Sequence, residues 1–127
     1  MKIVITDRAT LGEGIDLGLI GAFGELVIYP HTNHTELITR IADADVLICN
    51  KTVVDKEALD AAKNLRCILL FATGYNNIDI SYAAERGIAV CNAGQYSTYA
   101  VAQHTFALIL RQANRAAEYS DFVLDGG

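Results

Sequence analysis

A chain of 127 residues with 52% hydrophobic and 20% charged residues is long enough to bury a core and too apolar for a disordered segment. Its net charge of −5 argues against nucleic acid as a partner, no apolar run reaches the ~18 residues of a membrane span, and Met1–Asp7 lacks the apolar stretch of a secretion signal. Cys49, Cys67 and Cys91 are odd in number, lie in apolar runs and have no close Cys or His neighbours; they read as buried, reduced thiols of a cytoplasmic protein, and no metal site is expected.

Lys2–Thr6 is the first strand. Gly12, Gly14 and Gly18 follow it, but the second strand, Glu25–Tyr29, ends in Pro30 and His31, without the acid that would hold a ribose hydroxyl. Leu11–Phe23 therefore reads as a helix loosened by glycine, not as a dinucleotide phosphate loop. Asn33 and Glu36 form a capping pattern ahead of a stripe of Leu37, Ile38 and Ile41. Asp45–Asn50 is the third strand, and Asp55 caps a helix with Ala58, Leu59 and Ala62 inward. Asn50 and Lys51 close the third strand; as residues they fit either a polar ligand contact or a solvated strand end. His31 and His34 read as loop residues.

Arg66–Phe71 is a short apolar run suited to a strand buried on both faces. Ala72-Thr-Gly-Tyr-Asn-Asn-Ile-Asp79 follows at once. Gly74 permits positive φ and lets a ligand approach the backbone. The amides of Thr73, Gly74 and Tyr75 suit a nest for a carboxylate. An ordinary βα turn, with Gly and Asn chosen for turn chemistry, explains the same residues. Asn76, Asn77 and Asp79 suit Asx turns and a helix cap that fix the loop. Asp79 opens a helix through Arg86, stopped by Gly87, and Ile88–Cys91 is the fifth strand.

Apolar strands alternating with helices mean an α/β fold: a flavodoxin-like, five-stranded parallel sheet in the order 2-1-3-4-5 with helices on both faces. From Ser97 or Thr98, either of which suits a cap, the pattern is helical to about Leu124, a span of ~40 Å. Thr105 falls on its apolar stripe. His104 has no carboxylate at i±3 or i±4 to orient it and reads as a packed or hydrogen-bonded histidine, not a general base.

Ala72–Asp79, Gly87-Ile-Ala-Val-Cys-Asn-Ala-Gly-Gln-Tyr-Ser-Thr98 and Val101-Ala-Gln-His-Thr-Phe-Ala-Leu-Ile-Leu110 together resemble, in order and spacing, the D-isomer-specific 2-hydroxyacid dehydrogenases. Within that family the glycerate dehydrogenase (hydroxypyruvate reductase) type is the most similar. Asn76 stands where many relatives carry Asp, and Gly94-Gln95 where many carry Pro-Gly.

The resemblance implies a substrate-binding domain over 1–96 and, over 97–127, an interdomain helix leading to a Rossmann domain absent from this chain. It implies an enzyme that transfers a hydride between NAD or NADP and a small 2-hydroxy or 2-oxo acid, with its catalytic Arg, Glu and His beyond residue 127. Thr73 and Gly74, with Tyr75, match positions that hold the substrate carboxylate; Asn50 and Lys51 match a pair facing the cleft. Thr73 and Thr105 match positions that approach the cofactor, and Tyr96 the hinge. A homodimer through the long helix is implied as well.

A free-standing flavodoxin-like module is the competing reading. A phosphoreceiver needs an acid pair after the first strand, an Asp closing the third and a Lys after the fifth; here stand Asp7 alone, Asn50, and Asn92-Ala93. Asp7-Arg-Ala-Thr-Leu11 is a poor flavin phosphate loop. An interaction protein built on the long helix is a third reading.

Overall fold

A computed structural model describes all residues, Met1–Gly127. The chain divides into two compact units, Met1–Gly94 and Gln95–Gly127.

The first unit contains five strands: β1 (Lys2–Ile5), β2 (Glu25–Ile28), β3 (Val46–Cys49), β4 (Cys67–Leu70) and β5 (Ala89–Cys91). All pairs are parallel, in the order β2-β1-β3-β4-β5. Three helices connect them: α1 (His34–Arg40), α2 (Lys56–Ala61) and α3 (Ile80–Glu85). Each begins where the sequence supplies an acceptor for orphan N–H groups. Asn33 and Glu36 form a reciprocal capping box, Asp55 accepts from the Ala58 N–H, and Asp79 from the Tyr82 N–H. Gly87, at φ +70°, turns the chain out of α3, a conformation that costs other residues ~1 kcal/mol or more.

Strand side chains alternate between faces. Val4, Leu47, Cys49, Ile68 and Leu70 meet Leu37, Ile41, Ala58, Leu59 and Ala83 in the main core. The other face carries Ile3, Ile5 and Ile48, covered by Leu11, Leu17 and Ile20. Helical segments thus lie on both faces, but unequally. The glycine-rich stretch forms no α-helix; it folds into 3-10 turns at Arg8–Thr10 and Gly18–Phe23. Close-spaced glycines weaken an α-helix, and a few 3-10 bonds suffice to lay Leu17 and Ile20 on the sheet. That cover is short. Leu69 of β4 is 36% exposed, so β4 is buried on one face and not on both. Cys49 is buried, Cys67 half-buried and Cys91 exposed, so only one of the three thiols lies in the core. His34 opens α1 instead of lying in a loop, and its Nε2 is 2.9 Å from Asp55 Oδ2.

The second unit holds α4 (Thr98–Ala113) and α5 (Ala116–Leu124). The expected single helix is broken. Asn114 caps α4, and Arg115 takes a left-handed φ of 50° before α5 begins. The Arg115 guanidinium then pairs with Glu118 in the first turn of α5. Ser97 precedes α4 but makes no side-chain cap bond. No residue of either helix is buried.

Candidate acid-binding edge

Because the strands are parallel, the loops following β1, β3, β4 and β5 emerge at one edge of the sheet. Polar side chains join these loops.

Asp7 follows β1 and is only 5% exposed. Its carboxylate accepts from the Asn50 N–H (3.0 Å to each oxygen), the Lys51 N–H (2.6 Å), the Thr52 N–H (2.9 Å) and Thr52 Oγ1 (3.0 Å). Thr52 Oγ1 also lies 2.9 Å from Thr6 Oγ1. The N–H groups after β3 are thereby turned inward, and the donors that Asn50 and Lys51 offer to the edge are those of their side chains. Asn50 Nδ2 donates to Thr10 Oγ1 at 2.9 Å. Lys51 is exposed, forms no ion pair and lines a polar cleft of about 340 Å³ with Asp7, Thr10, His31 and Thr32.

After β4, the Phe71 N–H bonds to the Cys49 carbonyl (2.9 Å), the Ile78 N–H to Tyr75 (3.1 Å) and the Asp79 N–H to Val54 (3.0 Å). Between them the N–H groups of Ala72, Thr73, Gly74, Tyr75, Asn76 and Asn77 have no acceptor in the protein. Several carbonyls of the same loop are held. Ala72 accepts from the Ala93 N–H (2.9 Å), Thr73 from Asn92 Nδ2 (2.7 Å) and Asn77 from the Val54 N–H (2.8 Å). Asn77 Nδ2 donates to the Thr52 carbonyl at 2.7 Å, joining this loop to the one Asp7 holds. A loop with bonded carbonyls and unbonded N–H groups presents a surplus of donors, which suits an anion. Thr73, Gly74, Tyr75 and Asn76 are exposed, and Tyr75 borders a small cleft with Ile80, Val90 and Asn92.

Gly74 does not adopt the positive φ that its identity allows. A Cβ at this position would meet Asn76 Oδ1 at 3.6 Å, an ordinary contact. The fold therefore does not require glycine here. Of the three residues read as loop-fixing, Asn77 and Asp79 make such bonds, and Asn76 makes none.

Thr73, Gly74, Tyr75, Asn50 and Lys51 thus belong to loops of the same sheet edge in the first unit. Thr105 belongs to the second unit, where its hydroxyl donates to the Val101 carbonyl at 2.9 Å and is exposed instead of core-facing. His104 is exposed and has no hydrogen bond, so it is neither packed nor bonded as its sequence context suggests. Tyr96 is 73% exposed. The segment after β1 is not a phosphate cradle: the Arg8 guanidinium fills it by bonding to the carbonyls of Leu11, Gly12 and Ile15. The residues present do not form a nucleotide site of their own.

Two residues of this edge escaped sequence reasoning. Asp7 counted there only as half of a missing acid pair, and Asn92 had no assigned role. The available signal was position: a polar residue directly after a buried strand lies at the ligand-facing edge of such a sheet.

Residues 3–123 match the family model described as D-isomer specific 2-hydroxyacid dehydrogenase, catalytic domain. A hydroxypyruvate reductase of Blautia hydrogenotrophica is 37% identical over 99% of the chain and 40% of its own length. Among solved structures, an acyclic imino acid reductase in complex with NADPH and D-Arg superposes with a TM-score of 0.83 at 27% identity, over 100% of this chain and 42% of that one. The NAD+-bound 3-phosphoglycerate dehydrogenase of Entamoeba histolytica gives 0.72 at 28%, over 87% and 38%. The chain spans about two fifths of these proteins.

Proposed function

Since the chain belongs to the D-isomer-specific 2-hydroxyacid dehydrogenase family, we propose that it supplies the acid-binding wall of a cytoplasmic NAD(P)-dependent oxidoreductase acting on a small D-2-hydroxy or 2-oxo acid. The substrate type is glycerate/hydroxypyruvate, in line with the full-chain likeness to a hydroxypyruvate reductase.

The observation that carries this reading is the run of unbonded N–H groups from Ala72 to Asn77. The amides of Thr73, Gly74 and Tyr75 take the substrate carboxylate. Each charge-assisted bond contributes about 1.5–3 kcal/mol when water is excluded. The side chains of Asn50 and Lys51 address the polar end of the acid. These groups orient the substrate and lower its entropy of approach, but none is placed to move a proton or hydride. The acid–base residues and the nucleotide cradle belong to the rest of the enzyme, so the 127 residues alone bind without turnover. Thr73 borders the nicotinamide. Thr105 contacts the cofactor through its hydroxyl oxygen, since its proton is engaged by Val101. The apolar faces of α4 and α5 pair with a second copy of the chain. The domain boundary falls at 96/97, beside the division at Gly94/Gln95.

Gly74→Val in the whole enzyme tests the proposal. The fold tolerates a Cβ at this position, so the branched side chain disturbs chiefly a guest on the loop. KM for hydroxypyruvate rises at least about tenfold, equivalent to 1.4 kcal/mol, while KM for the nicotinamide nucleotide stays within about twofold. An unchanged KM for the acid rejects the site.

A further inference from the structure

The strand order β2-β1-β3-β4-β5 changes direction between β1 and β3. In open α/β sheets such a reversal leaves a crevice for a ligand. Here three successive amides, Asn50, Lys51 and Thr52, converge on that point with the Thr52 hydroxyl. A bound anion would find this a good site, but the anion is the chain's own Asp7 carboxylate, buried at 5% exposure. Two consequences follow. No main-chain donor of residues 50–52 remains for a substrate. The backbone of Lys51 is fixed by a 2.6 Å bond while its side chain stays exposed and unpaired. The same turn is tied onward, through Thr52 and Asn77 Nδ2 at 2.7 Å, to the β4 loop with its unbonded amides.

We propose that Asp7 is a positioning residue for acid recognition: its carboxylate fixes the 50–52 turn and so holds the Lys51 ammonium in place beside the β4 loop amides, as one side of a seat for an organic anion. The inference rests on the acid-binding reading above and adds to it the residue that builds one side of the site. Asp7 never touches the substrate. Replacing it by Asn places amide donors against three backbone donors and a hydroxyl, so the turn loses its reference point. Lys51 then wanders, and orientation of the acid is lost without any group of the chemistry being removed.

The test is a double-mutant cycle in the whole enzyme with hydroxypyruvate and NAD(P)H. Lys51→Met alone raises KM for the acid. Asp7→Asn alone raises it about tenfold, changes kcat by less than about threefold and leaves KM for the nucleotide within about twofold. In the Lys51→Met background, Asp7→Asn adds less than about twofold, because the side chain it positions is already gone. A full tenfold effect in that background, or a fall of kcat with both KM values unchanged, overturns the proposal. If Asp7→Asn does not fold, Thr52→Val, which removes the hydroxyl donor and keeps the three amides, gives a rise of about threefold that vanishes in the same background; persistence there overturns it. Gly74→Val separates the two ideas. If it raises KM for the acid while Lys51→Met does not, the β4 site stands and the role of Asp7 falls; if it has no effect, the acid-binding reading itself falls.

Discussion

Burial chiefly separates the chemistry of Cys49 from that of the loops around it. The thiol lies at the end of β3, where desolvation, with a smaller contribution from the nearby Asp7 charge, pushes its pKa up to about 12. At neutral pH the thiolate is a negligible fraction, and the side chain is sealed between sheet and helices. Alkylation of Cys49 by iodoacetamide should therefore follow global unfolding. Its labelling, followed at the Cys49 peptide by mass spectrometry because Cys91 is exposed, rises in step with loss of the circular dichroism signal in denaturant, and rapid labelling of Cys49 in the native chain refutes the burial. The β4 loop shows a different residue-scale rule. Asn92 Nδ2 holds the Thr73 carbonyl, Asn77 Nδ2 ties the loop to the Thr52 carbonyl, and the N–H groups between Phe71 and Ile78 are left over. A surplus of donors is visible only when every polar group of a segment is accounted for.

At the level of elements, helices of six or seven residues cannot persist on propensity alone. They are held by caps and by one packed face. The α2 cap is pH-dependent. Asp55 is kept below the usual carboxylate range chiefly by the Ala58 N–H and next by His34. A folded-state pKa below the unfolded value of about 3.9 contributes stability that is complete above that value and is lost as pH falls through the folded one. Asp55→Ala should cost about 1 kcal/mol at pH 7, toward the lower end of cap effects because the side chain is 47% exposed. Urea denaturation midpoints of the native and variant chains should converge as pH falls through the lowered folded-state pKa of Asp55; a constant gap rules out the charged cap. The break at Arg115 is the other decision taken at this scale. Two helices of 16 and 9 residues span about 24 and 14 Å, where the sequence suggests one of ~40 Å.

Across the whole molecule the two units are unequal. The first buries twenty hydrophobic residues in two clusters. The second buries none, and Phe106, Ile109, Leu110 and Phe122 stand at 55–65% exposure. Exposed apolar surface of this kind marks an interaction site, and the proposed pairing with a second copy is open to test. Sedimentation equilibrium should show self-association, and Phe106→Glu should shift the equilibrium toward the monomer by tenfold or more, about 1.4 kcal/mol. A monomer at high micromolar concentration excludes pairing through this surface. No helix is long and apolar enough to cross a membrane.

The linear chain by itself determined what depends on neighbours in sequence. Alternating apolar runs set five parallel strands and their order, Asn33, Asp55 and Asp79 set helix starts, and Gly87 sets an exit. The motif Ala72–Asp79 marks the loop proposed to hold the acid, because its turn chemistry is local. What only the tertiary structure decided was pairing across distance. That Asp7 holds residues 50–52, that Asn92 and Asn77 tie the β4 loop, and that Leu69 and Cys91 are left uncovered all depend on which loops and faces meet. A carboxylate forty-three residues away leaves no periodicity to read. Fixed partners for such groups arise only when folding brings the strand ends together and removes the water that would otherwise serve each of them.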